Sequence, residues 1–467
     1  MDNSKNLNIE EKDLFSEDTD YKRDLGLVES ISIVIGRIIG SGIFRTPAPI
    51  MALVGSTALF GIVWVIGGIV TIFGAVCYAE LVAMMPKSGG PYVYLKAAYN
   101  PVWSFLRGWA MFFVSETGAI AAVALVFAEY MNALWKIAYG TSFSHVAEIL
   151  LALSTIWILT AINMYGVLLS GMIQNIFSFI KIVAIGAIIG TCFVSVGNTS
   201  NFSSPLWAEE FSWKSILAIG AALRYAFFAY SGWEGATYIA EEVRNPRKNL
   251  PLSLFFGIAG VLILYIGANS AYIYQLPVET IKTSKWVAAD AMTVAIGSTG
   301  GIFISIAVMM NTFGNVSTQI LCKARSWQAM ARDGVFFEWL SKLHPLFKTP
   351  NNSLIAQGIW ASVLLIFAGL AKNSYETIID FFSATGTIFN IMTFASVFVL
   401  RRKFPNMVRP YKAWLYPYSL IVIIIVYAAF LVITLITAFI PSLLGLLLTS
   451  SGLIYYFTKI KKKEQTK

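Results

Sequence analysis

Long apolar runs, each bounded by polar or turn-forming residues, recur twelve times along the chain. They lie at 27–53, 57–85, 101–135, 147–165, 168–196, 214–242, 251–275, 299–322, 353–370, 377–400, 414–436 and 439–457. About 20 helical residues cross a bilayer. The runs are continuous, unlike the alternating ~10-residue segments of a membrane β-barrel. The pattern predicts an all-α membrane protein with 12 transmembrane helices. The stretch before the first run mixes acidic and basic residues instead of opening with a basic segment, so no cleavable signal peptide is expected and the first run stays as a membrane helix.

Two runs are interrupted at mid-depth. The first contains Gly36-Arg37-Ile38-Ile39-Gly40-Ser41-Gly42-Ile43, and the sixth contains Tyr230-Ser231-Gly232-Trp233-Glu234-Gly235. Small residues also serve plain helix packing in membranes. Paired interruptions five spans apart point instead to two halves of opposite orientation and to a binding site at the repeat interface. The expected organisation is a cytoplasmic tail at 1–24, a first repeat at 25–196 and an extracellular linker at 197–213. A second repeat follows at 214–402, then two further helices at 403–457 and a basic cytoplasmic tail at 458–467.

Composition narrows the function classes. Apolar residues make up 57% of the chain and charged residues 13%, against about 25% charged in soluble proteins, which excludes a soluble enzyme and a disordered chain. The net charge of +9 would suggest nucleic acid, but the basic residues follow the loops. With the N-terminus inside, 24 of them fall on cytoplasmic segments, among them Arg244, Lys323, Arg401 and Lys463. Lys136, Lys214, Lys282, Lys285 and Lys372 fall outside. This bias places both termini in the cytoplasm of a cell-membrane protein and leaves no case for nucleic acid. Cys77, Cys192 and Cys322 lie in apolar runs, and His145 and His344 are far apart in sequence. Neither a disulfide framework nor a metal site is expected, no cofactor is implied, and an intramembrane enzyme lacks its nucleophile–base pair.

The interruptions themselves suggest a ligand. Freed N–H groups at Ser41, Gly42 and Ile43 suit a carboxylate, and freed carbonyls near Phe228, Ala229 and Ser231 suit an ammonium. A zwitterion carrying both on one carbon matches the pair, with Gly40, Tyr230, Gly232 and Trp233 flanking it.

On these stretches the chain resembles an amino acid permease of the amino acid–polyamine–organocation superfamily, nearest the L-type amino acid transporter family. The resemblance rests on Ile39-Gly40-Ser41-Gly42-Ile43-Phe44, Cys77-Tyr78-Ala79-Glu80-Leu81, Pro86-Lys87-Ser88-Gly89-Gly90, Phe228-Ala229-Tyr230-Ser231-Gly232-Trp233, Glu241-Glu242-Val243-Arg244-Asn245-Pro246 and Asn249-Leu250-Pro251, in that order. It implies a five-plus-five inverted-repeat (LeuT-type) fold with broken helices 1 and 6, alternating access, and an amino acid substrate bound at the two breaks. Small neutral L-amino acids are the default. It also implies that Lys181 in the fifth span stands in for a sodium ion, bridging the first and eighth spans with hydroxyls from Ser317 and Thr318. Sodium-independent exchange is then expected, with proton-coupled uptake as the rival. Animal members join an accessory subunit through a cysteine after the third span. Residues 136–146 contain none, so no disulfide-linked accessory subunit is expected.

A charge at mid-bilayer costs at least ~2.5–3.5 kcal/mol unless paired or wetted. Arg37, Glu116 and Glu234 have two readings, a charge-balanced internal network or a selectivity gate, and either Arg37 or Arg224 is a candidate partner for an acidic substrate side chain. Glu80 reads as a gate or loop anchor near the cytoplasmic end of the second span. Arg45 is expected in an outer vestibule, and Glu129 at the outer surface in contact with solvent.

Overall fold

A computed structural model describes residues 15–17, 23–87, 89–165, 167–203, 205, 212–347, 349–371 and 373–461, without the side chains of 167–180 and 239. The N-terminal tail to residue 14, most of the linker after 205 and the basic tail from 462 lie outside the described residues. Within them no strand forms. An isolated bridge joins Leu25 to Val243, and everything else regular is helical.

The first half begins with α1 (Leu27–Ile38), the short α2 (Gly42–Arg45) and α3 (Pro47–Val54). Then come α4 (Thr57–Met84), α5 (Pro91–Ala98) and α6 (Pro101–Ala110). A π-helical turn at Met111–Ser115 leads into α7 (Glu116–Tyr139), followed by α8 (His145–Met164) and α9 (Val167–Val194). The second half begins with α10 (Trp213–Ala229) and continues through a 3₁₀ segment at Trp233–Glu242 into α11 (Pro246–Gln275). It goes on with α12 (Val278–Thr283), α13 (Val287–Ile296), α14 (Ser298–Arg332), α15 (Asn351–Gly369) and α16 (Ser374–Lys403). The last two long helices are α17 (Tyr418–Thr437) and α18 (Phe439–Tyr455).

Ten helical segments are long and apolar enough to cross a membrane among the described residues. The expected fifth and sixth runs correspond to α9 and to α10 with its 3₁₀ continuation. The third run is one continuous helical stretch, Pro101–Tyr139. The eighth was expected to end at 322, with Lys323 in a cytoplasmic loop. Here α14 runs on to Arg332, and Lys323 is buried at 4% exposure.

The broken first span is packed at the centre. α1 lies on α11, α11 on α4, α10 on α3 and α4, and α14 on α7 and α9. Buried glycine, alanine and serine recur on these faces, as expected where close packing replaces a hydrophobic driving force between helices. The large exposed apolar residues, such as Ile263, Phe367 and Ile425, lie outside this core.

Candidate functional site

The helix of the first span stops at Ile38, where extended backbone at Ile39 (ψ 93°) breaks the hydrogen-bond ladder, and restarts at Gly42. Three of the carbonyls released at the break are picked up by groups from elsewhere. Lys181 Nζ donates to Gly36 O at 3.1 Å, Tyr265 to Ile38 O at 3.1 Å, and Asn311 to Gly40 O at 3.5 Å. A cation at a helix C-terminus also meets the negative end of its dipole. On the restarting side, the Ser41 carbonyl accepts from Phe44 and Arg45. The N–H groups of Ser41, Gly42 and Ile43 find no acceptor among the described residues. The Ser41 hydroxyl, on a residue 1% exposed, is also unpartnered.

The sixth span ends α10 at Ala229 and turns through Gly232, whose φ of 95° lies in the left-handed region. That position needs glycine twice over, because a Cβ there would also stand 2.7 Å from the Arg37 carbonyl oxygen. Gly42 meets the same demand across the gap, since its Cβ would fall 2.5 Å from Ala229 Cα. The two breaks therefore touch backbone to backbone.

The carbonyls expected to stand free at the sixth break are partly used. Phe228 O accepts from both the Ser231 N–H (3.1 Å) and the Ser231 hydroxyl (2.7 Å), and Ala229 O accepts from Tyr265 at 3.1 Å. Ala229 O keeps one lone pair, whereas both lone pairs of Phe228 O are taken by Ser231. The carbonyls of Tyr230 and Ser231 accept nothing among the described residues. Tyr265, absent from the sequence expectations, thus bonds both breaks with one hydroxyl.

A cavity of about 230 Å³ opens between them. Gly40, Ser41, Gly42, Phe228, Ala229, Ser231, Gly232 and Trp233 line it, together with Arg37, Glu116, Lys181, Glu234 and Thr318. Three predicted residues do not. Ile43 is fully buried, contributing only backbone at the break. Tyr230 turns its ring into the core, where its hydroxyl bonds Trp64 O at 3.1 Å and its face meets Trp64 and Tyr265. Ser317 accepts from Asn163 at 3.3 Å. The Thr318 hydroxyl bonds Gly314 O within its own helix, so neither α14 hydroxyl reaches Lys181. The wall also includes Arg107, Ser115, Asn315, Gln319 and Asn390, which sequence reasoning missed.

The charges sort into pairs and remainders. Glu116 pairs with Lys323 at 2.9 Å, and Arg224 with Asp380 at 3.2 Å and Thr437 at 2.8 Å. Arg37 and Glu234 form no ion pair with each other, so the internal network centres on Glu116 and Lys323 instead. Arg45 is not in a vestibule. It is 5% exposed, paired with Glu129 at 2.8 Å and Glu376 at 3.1 Å, and lies over the Tyr375 ring. Glu129, expected to be solvated, is 3% exposed and held by that arginine. Glu80 is the loop anchor anticipated, taking two bonds from Arg401 (2.8 and 2.7 Å) and one from the Ala413 N–H (2.7 Å), with Arg409 at 3.6 Å. Among the described residues no three histidine, cysteine, aspartate or glutamate side chains come together as a metal site.

The sequence model of the amino acid permease family matches residues 25–460. The chain is 31% identical to the serine/threonine exchanger SteT of Bacillus subtilis, over 96% of this chain and 100% of the relative. It is 31% identical to the mouse b(0,+)-type amino acid transporter 1, over 94% and 88%. It is 32% identical to the human large neutral amino acids transporter small subunit 2, over 93% and 80%.

Proposed function

The chain belongs to the amino acid permease family, whose members are transporters and not enzymes, and from that premise we propose that it exchanges small L-amino acids across the cell membrane by alternating access, without sodium. The observation that carries this reading is the pair of facing breaks. Unclaimed N–H groups and the unpartnered Ser41 hydroxyl take the α-carboxylate, and carbonyls at the end of α10 take the α-ammonium. The proposed ammonium seat combines the remaining lone pair of Ala229 O with the open carbonyl of Ser231, beside Phe228.

Twelve spans in two inverted halves, 25–196 and 214–402, complete the proposal, with α17 and α18 outside the repeat. The ten long helices plus α9 and the α10 segment support the count, and the loop charges support cytoplasmic termini. Sodium independence is supported by Lys181, whose ammonium already occupies a carbonyl released by the break. An exchanger named among the relatives supports the mode. We propose no disulfide-linked partner, since the loop after α7 has no cysteine.

The test is purified protein in liposomes, assayed for uptake of labelled amino acids with and without internal amino acid. Exchange predicts uptake only with internal substrate, unchanged when sodium is replaced. Uptake into empty liposomes that follows a pH gradient would establish proton coupling instead. Amino acid methyl esters, lacking the carboxylate charge, should compete poorly.

A further inference from the structure

We propose that the cavity contains a second anion seat, formed by Arg107 and Arg37, that takes the side-chain carboxylate of an acidic amino acid. The inference rests on the transport reading above and names its substrate class. Arg107 is 7% exposed and lines the cavity, yet makes no hydrogen bond or ion pair among the described residues. Its guanidinium lies over the Phe389 ring at 5.6 Å. Arg37 lines the same cavity and its Nε is likewise buried without a partner. Gly235 makes room for it, since a Cβ there would stand 2.1 Å from Arg37 Cδ. Both guanidiniums act electrostatically on Glu116, but that carboxylate is committed to Lys323 at 2.9 Å.

Arginine does not shed its proton to relieve burial, so a buried guanidinium calls for an anion. The protein supplies too few. Counting the lining groups and their ion-pair partners, Arg37, Arg107, Lys181, Arg224 and Lys323 face only Glu116, Glu234 and Asp380. A zwitterion bound at the breaks leaves this excess of two positive charges untouched. An added side-chain carboxylate reduces it, and a fork-shaped guanidinium is suited to receive it in two parallel hydrogen bonds. Arg224, the other candidate from sequence, is excluded because Asp380 and Thr437 already occupy it.

Purified full-length protein, tested for binding of labelled L-glutamate and L-glutamine with L-aspartate, L-asparagine and succinate as competitors, decides the matter. The acids should bind about tenfold or more tighter than their amides, as a charged hydrogen bond in place of a neutral one implies. Arg107→Gln and Arg37→Gln should each bring the acid-to-amide ratio toward one, and Arg107→Lys should keep part of it. Equal or tighter binding of the amides to the wild type overturns the inference while leaving the transport reading standing, and this comparison holds even if a variant does not fold. Succinate competing as well as L-aspartate would show a free-anion site, which also overturns it. Binding of no amino acid at all would fail the transport reading itself.

Discussion

A methyl group at residue 42 would meet the Ala229 backbone before it met any substrate. Gly42→Ala is therefore a packing variant as well as a site variant. It should cost about 1–3 kcal/mol of stability, as overpacking does, and weaken binding by separating the two breaks. Thermal unfolding in detergent with substrate titration checks both, and an unchanged midpoint would show that the breaks have slack. Tyr265→Phe removes the one hydroxyl that bonds Ile38 O and Ala229 O. Leaving buried carbonyls without their donor costs about 1–3 kcal/mol, so the variant should bind substrate more weakly although Tyr265 lines no part of the cavity. The glycines and Ser41 were legible because small residues at mid-span are conspicuous. Tyr265 was not, since one tyrosine inside an apolar run carries no mark of what its hydroxyl reaches. Tyr230 misled for the converse reason: it flanks the break in sequence, but the helical phase at Ala229 turns its ring toward Trp64.

At the scale of elements, both breaks and the order of the long helices could be read from the runs, while helix length past the apolar region could not. α14 continues beyond its apolar residues, and this extension makes Lys323 an interior group. The π-helical turn at Met111–Ser115 has no apolar signature either, yet it directly precedes Glu116, the partner of that lysine. Lys323→Met alone should destabilise by about 1–3 kcal/mol, because it takes the direct partner from a carboxylate whose side chain is only 17% exposed. The double variant Lys323→Met with Glu116→Gln should recover much of that loss, and the coupling measured by the four-member cycle is the pair's own contribution. Additive losses would mean that the two side chains act independently. Arg107 escaped notice because it sits at the polar edge of the third run, where a basic residue normally marks a membrane boundary; burial beside the Phe389 ring is a property of the assembled bundle.

Across the whole molecule, two charged ties hold segments distant in sequence. Glu80 of α4 fastens Arg401, Arg409 and the Ala413 backbone. Arg45, just past the first break, fastens Glu129 of α7 and Glu376 of α16. Such partners lie too far apart in sequence for any pattern of runs to join them, so the ties were invisible before folding brought them together. The second tie bears directly on the proposed alternating access. Arg45, Glu129 and Tyr375 are all nearly fully buried and do not line the cavity, so they seal the side of the breaks on which α3 lies. Arg45→Gln would leave two carboxylates close together without their cation, and their repulsion and need for water would favour opening on that side. The exposed Ser231 gives a probe position, and Cys77, Cys192 and Cys322 can be replaced to leave Ser231→Cys as the single thiol. With that thiol in reconstituted vesicles, labelling by a membrane-impermeant reagent from the outside should rise about tenfold or more in Arg45→Gln, the shift that roughly 1.4 kcal/mol of lost closure produces. Labelling from the inside should fall only by the fraction of molecules that opens outward, because one equilibrium governs both faces. A rate unchanged from both sides would place the seal elsewhere and leave the Arg45 cluster as a brace within the bundle.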